Sequence, residues 1–161
     1  MIIESKLSER DFIKATFVLL YSRLFIKITT ALFSFFLISG IIAAIFYPTY
    51  STIQELFFLL LILFVRPVLT YITAKRNYNG SGRSGELIIY TFNADYLSIK
   101  GESFNSEFSW DKIYKVSQTK NWVFIWQNKT FANAIPKHDI WEEQIDELKA
   151  ILETHHVKNN L

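Results

Sequence analysis

Residues 28–47 read ITTALFSFFLISGIIAAIFY, and residues 56–74 read LFFLLLILFVRPVLTYITA. Lys27 and Lys75 bracket the pair, and between them only Glu55 and Arg66 carry charge. The uncharged stretch from Ile28 to Gln54 is too long and too apolar for the core of so small a chain, so the two runs predict a membrane α-helical hairpin. At 1.5 Å per residue the first run spans about 30 Å, the thickness of a hydrocarbon core. Its Thr29, Thr30, Ser34 and Ser39 can bond backbone carbonyls one turn back. Gly40 is tolerated in such a helix. Pro48 ends the run, and Tyr47 and Tyr50 fall where an interfacial aromatic belt would lie. A cleaved signal peptide does not fit, because the preceding segment is too long and a second apolar run follows at once.

The second run is compromised by Arg66-Pro67. An Arg at mid-membrane costs roughly 2.5–3.5 kcal/mol, while each Leu, Ile, Phe or Val returns roughly 0.3–0.6. Thirteen such residues return roughly 4–8 kcal/mol on that scale, so insertion still wins. Arg66 lies nearer the Lys75 end, where its long stem can reach headgroups. No acidic partner for it exists within the runs, which favours snorkelling over a buried ion pair. Pro67 removes the helical donor to the carbonyl of Leu63.

The segment from Pro48 to Glu55 has no Lys or Arg, whereas Lys14, Arg23 and Lys27 precede the pair and Lys75, Arg76 and Arg83 follow it. By the positive-inside rule both flanks are expected in the cytoplasm. The asymmetry extends to the whole chain. Residues 1–85 hold nine Lys/Arg against four Asp/Glu, and residues 86–161 hold eight against eleven. All four Trp (Trp110, Trp122, Trp126, Trp141) lie in the second part. With no Cys, the chain has no disulfides, Cys-zinc sites or thiol nucleophiles. The expected organisation is an N-terminal strand and juxtamembrane helix over 1–27, a two-span hairpin over 28–74, a basic Gly/Ser linker over 75–85 and a small α+β domain over 86–161.

Ser8 followed by Asp11 resembles a helix N-cap, and a helix from Glu9 would run toward the membrane. It is expected to continue into the first span or to lie at the interface. Met1–Lys6 is short enough to be a strand, which could join the C-terminal sheet. Gly80, Gly82 and Gly85 match G-x-G-x-x-G literally, but the dinucleotide fingerprint needs a strand before it and a helix after it. From Glu86 to Ile135 short β-rich segments alternate with turns: ELIIYTF, YLSIK, SFNSEFSW, Ile113–Gln118, WVFIW and TFANAI. Asp139 would cap a last helix whose apolar stripe is Trp141, Ile145, Leu148 and Ile151/Leu152.

The hairpin, the basic linker, Trp110-x-x-Ile113-x-x-Val116 in the sheet, and Ile135-Pro136-Lys137 leading into the last helix resemble the YcxB-like bacterial membrane proteins. The resemblance implies a bacterial cytoplasmic-membrane protein. Its soluble part would be similar to a pleckstrin-homology-like (PH-like), partly open barrel of seven antiparallel strands with a C-terminal capping helix. It implies no reaction.

The site candidates are few. Neighbouring His155 and His156 diverge by about 100° on a helix, so they make no single metal face. With His138 beside a capping Asp139, no metal or catalytic constellation forms. No serine elbow, phosphate loop or paired carboxylates appear, so neither enzymatic activity nor a cofactor is expected, nor a nucleic-acid partner. Trp122, Phe124 and Trp126 put aromatics on one face of a strand, read either as core or as a groove for a partner peptide or strand. Lys112, Lys115 and Lys120, with Lys75, Arg76 and Arg83, could contact anionic headgroups. The expected partners are the lipid bilayer and a protein, or a second copy of the chain.

Overall fold

The computed structural model describes residues 1–47, 50–81 and 85–161, with 50–53 described by their backbone alone. Pro48, Gly82 and Arg83 therefore lie outside the described residues, as does the side chain of Tyr50. The chain forms two compact units: residues 12–80, and residues 1–11 together with 81–161.

The first unit is helical. Helix α1 spans Glu9–Ser22. Ser8 starts it as expected: its Oγ accepts from the Asp11 N–H at 3.1 Å and donates to Asp11 Oδ2 at 2.6 Å. Arg23 then adopts an extended conformation, with φ −71° and ψ 127°, before helix α2, Leu24–Phe46, begins. The juxtamembrane helix is thus not continuous with the first apolar helix. Helix α3 spans Tyr50–Gly80 and runs through Pro67. Both α2 and α3 are long and apolar enough to cross a membrane, and many of their large apolar side chains are exposed. Both begin before the bounds drawn from hydropathy, and α3 also ends after them, because helical hydrogen bonding does not require apolar side chains. Lys75, Arg76, Asn77 and Tyr78 prolong α3, so residues 75–80 of the expected linker are helical.

Helices α2 and α3 run antiparallel in a register fixed by two contacts. Arg66 Nη1 donates to Thr29 Oγ1 at 3.2 Å. At the other end a Cβ on Gly40 would sit 2.8 Å from Leu56 Cδ2, so a larger residue there would make the Leu56 side chain shift.

The second unit holds seven strands and one helix. Strands β1 (Ile2–Lys6), β2 (Leu87–Phe92), β3 (Tyr96–Lys100) and β4 (Asn105–Ser109) form an antiparallel sheet in that order. Strands β5 (Lys115–Gln118), β6 (Trp122–Trp126) and β7 (Ala132–Pro136) form a second sheet. The two sheets stay separate rather than closing through shared hydrogen bonds. Strand β1 pairs with β2 over five registered positions, Ile2 opposite Thr91 to Lys6 opposite Leu87. Met1–Lys6 therefore does join the C-terminal sheet, across both apolar helices in sequence.

Alternation fills the core. Ile3, Tyr90 and Ile99 form one cross-strand row, and Phe92 and Leu97 begin the next. Val116, Val123, Ile125 and Ile135 supply the second sheet's share, and helix α4 (Glu142–Thr154) covers the cluster with Leu148 and Leu152. Asp139 does not cap α4. It sits in a 3-10 turn, Lys137–Asp139, where Oδ2 accepts from Ser5 Oγ at 2.7 Å. The N-cap is Trp141, whose N–H donates to Gln144 Oε1 at 3.0 Å. Trp141 is also off the buried stripe: it is 74% exposed.

Helix α4 ends in a Schellman turn. His156 takes φ 54°, its N–H donates to Glu153 O at 3.1 Å, and Val157 N–H donates to Leu152 O at 2.8 Å. The turn aims the last residues at β5, where Val116 N–H donates to Lys158 O and Gln118 N–H to Asn160 Oδ1, both at 2.9 Å.

Candidate functional site

The aromatic strand is core. Trp122, Phe124 and Trp126 are 5%, 2% and 7% exposed, and β6 is the central strand of its sheet, with both edges paired. The rings therefore do not form an open groove: β6 itself offers no free edge, and the three aromatic side chains are buried. The three rings stand in line at 6.3 Å spacings. Trp126 Nε1 donates to Ser117 Oγ at 2.8 Å, and Lys115 Nζ lies 4.7 Å from the Trp126 ring centroid.

The family-like motif residues are core as well. Trp110, Ile113 and Val116 are buried in one cluster. Trp110 stacks between Phe92 and His155 and donates Nε1–H to Asn93 O at 3.2 Å. Ile135 and Pro136 are fully buried, and Lys137 Nζ donates to Gln118 Oε1. His155 thus works as a stacking partner and His156 as a left-handed cap.

Within the sheet unit, Lys112, Lys115 and Lys120 form no single cluster. Lys112 pairs with Asp111 at 3.2 Å on the open surface. The Ser109 hydroxyl, and then Lys112, hold the Asp111 carboxyl below the usual carboxylate range. Lys115 begins β5, whereas Lys120 lies beyond its end in the turn that leads into β6. Lys75 and Arg76 are exposed on α3, in the other unit.

Arg66 is better placed than the sequence suggested. Thr29, its partner, is the sixth residue of α2, about 8 Å along the axis from the helix start. The Thr29 hydroxyl passes its own proton to Phe25 O at 2.9 Å or Ile26 O at 3.1 Å, leaving a lone pair for the guanidinium. A cleft of ≈ 640 Å³ opens beside Arg66 and is lined by side chains of α1, α2 and α3. Thr30, Thr70, Thr73 and Asn77 give it a polar lining, and Leu20, Ile26 and Phe33 are among its apolar members. Hydropathy counting could not find this cleft, because it sees Arg66 only as a penalty.

Two contacts in the sheet unit also escaped the sequence reading. Glu86 is buried and accepts the Ser103 N–H at 3.0 Å, bracing the turn between β3 and β4. Gly101 N–H donates to Phe104 O in that turn at 2.9 Å.

Among known proteins, the family model for YcxB-like protein matches residues 92–152, from the end of β2 into α4. The two long apolar helices precede the matched segment. No curated protein and no solved structure matches the chain.

Proposed function

We propose that the YcxB-like segment belongs to an interaction module held at the cytoplasmic face of a membrane by α2 and α3 as a two-span anchor. The observation that carries this reading is the pairing of β1 with β2. One sheet cannot be assembled from strands on opposite sides of a bilayer, so the chain between them must cross an even number of times. Two apolar helices lie between them. The lysine and arginine flanks support the cytoplasm as that common side. The seven strands and covering helix are also what a PH-like module would use, here as two sheets.

The module's role is to bind a protein partner or a second copy of the chain. Support comes from Trp141, an exposed tryptophan at the start of α4, with Ile2 beside it at 56% exposure. Gln144 ties the two together: Oε1 accepts from Trp141 N–H and Nε2 donates to Ile2 O at 2.9 Å. Exposed tryptophans are favoured as interface anchors. A photoreactive residue at position 141 of the full chain, activated in native membranes, is expected to give a discrete crosslinked species. The same residue at Lys149, on the acidic face of α4, is expected to give none. Indistinguishable outcomes at the two positions would remove the support for this face.

A further inference from the structure

We infer that the cleft beside Arg66 binds the phosphodiester of an anionic phospholipid. This rests on α2 and α3 spanning a bilayer, and goes beyond anchoring by assigning a lipid class to one site. The guanidinium has five N–H donors and, among the described residues, one side-chain acceptor, Thr29. Arg66 also lines a cleft whose polar lining carries no carboxylate. Depth is suitable: Arg66 sits level with the second turn of α2, two residues inward of Lys27, where glycerophosphate groups begin. The apolar members of the lining give acyl chains a wall.

Charge selects the lipid. Residues 12–80 hold Lys14, Arg23, Lys27, Arg66, Lys75 and Arg76 against a single carboxylate, Glu55. Glu55 adjoins Leu56, which packs on Gly40 toward the opposite end of the helix pair. All the cations other than Arg66 lie before Ile28 or after Ala74, at the end where the cleft opens. A zwitterionic lipid would bring its ammonium into this cationic end, whereas a phosphatidylglycerol brings only the phosphate. The planar fork of arginine suits bidentate binding to phosphate oxygens.

The test is native mass spectrometry of the full chain, released from detergent in an equimolar mixture of phosphatidylglycerol and phosphatidylcholine. The wild type should retain phosphatidylglycerol in roughly tenfold excess, the equivalent of one charge-assisted hydrogen bond. Arg66→Gln should bring the two lipids near parity, Arg66→Lys should keep part of the preference, and Lys14→Gln, outside the cleft, should keep nearly all of it. Far-UV circular dichroism identifies any variant that has lost its helices. Equal retention by the wild type, or equal losses in Arg66→Gln and Lys14→Gln, would overturn the site in favour of diffuse attraction. Displacement of the lipid by millimolar inorganic phosphate would overturn it in favour of a small-oxyanion site. Carbonate extraction separates the underlying reading: release of the wild type from membranes would defeat the anchor itself, whereas a retained chain without lipid preference defeats only the lipid site.

Discussion

Replacing Ile3 by Ala probes the least obvious feature of the fold, the recruitment of an N-terminal strand into a sheet whose other strands begin at Leu87. Ile3 is 1% exposed and lies opposite Tyr90 in the row that continues to Ile99. Truncating a buried Ile to Ala costs about 2–5 kcal/mol, the transfer of the lost carbons plus the cavity left behind. Both neighbours in the row are buried and held by strand pairing, so little collapse is available, and about 3 kcal/mol is expected. For a unit of roughly 90 residues, total stability is on the order of 5–14 kcal/mol, so the loss is a large fraction. With a urea m-value of about 2 kcal/mol/M, the midpoint should fall by about 1.5 M. Tryptophan fluorescence reads this unit alone, because all four Trp lie in residues 110–141. The measurement is therefore a urea titration of the detergent-solubilised full chain, with Ile2→Ala as the exposed control on the same strand. The control should move the midpoint by less than about 0.5 kcal/mol equivalent. Equal shifts for the two variants would refute the pairing of β1 into the sheet.

Three further outcomes follow from local geometry. Gly101→Ala should destabilise the same unit by about 1–3 kcal/mol, because the new methyl would collide with the Phe104 ring and meet Glu86 Oε2 at 2.6 Å; thermal unfolding followed by tryptophan fluorescence reads it. His156→Gly should stabilise by about 0.5–1 kcal/mol, since a non-glycine residue there occupies the left-handed region; a urea midpoint that drops instead would mean the His side chain is needed. Burial pushes the Tyr90 phenol well above its ordinary range. The unfolded chain therefore ionises first, near pH 10, and stability falls above that pH by about 1.4 kcal/mol per unit. Tyr90→Phe should flatten this alkaline loss between urea titrations at pH 9 and pH 11.

Periodicity made much of the fold legible. The apolar runs marked α2 and α3, and β-rich segments set off by turn residues located six of the seven strands, because both signals are local to the residues themselves. Partnerships across long separations leave no such trace. Nothing local in Met1–Lys6 distinguishes an edge strand from a tail until β2 is placed beside it. Asp139 looked like a cap because cap chemistry is local, but Ser5, far away in sequence, claims its carboxylate. The aromatic strand shows the same limit. Alternation located Trp122, Phe124 and Trp126 on one face, but only the sheet order revealed that β6 is central. The lysines were grouped by composition, and the strand geometry spreads them apart. Arg66 was visible as an intramembrane charge, while its level followed only from the Thr29 contact.

With α2 and α3 as a two-span anchor, the pairing of β1 with β2 requires both arms of the chain to share one side of the membrane. The absence of native cysteine permits its most direct test. Single cysteines are placed at Gln54, between the apolar runs, and at the exposed positions Glu4 and Lys158, and cells are treated with an impermeant maleimide. Gln54→Cys should be labelled in intact cells, with Glu4→Cys and Lys158→Cys protected until the membrane is opened. Labelling of Glu4→Cys and Lys158→Cys from opposite sides, or of both from outside, would contradict it.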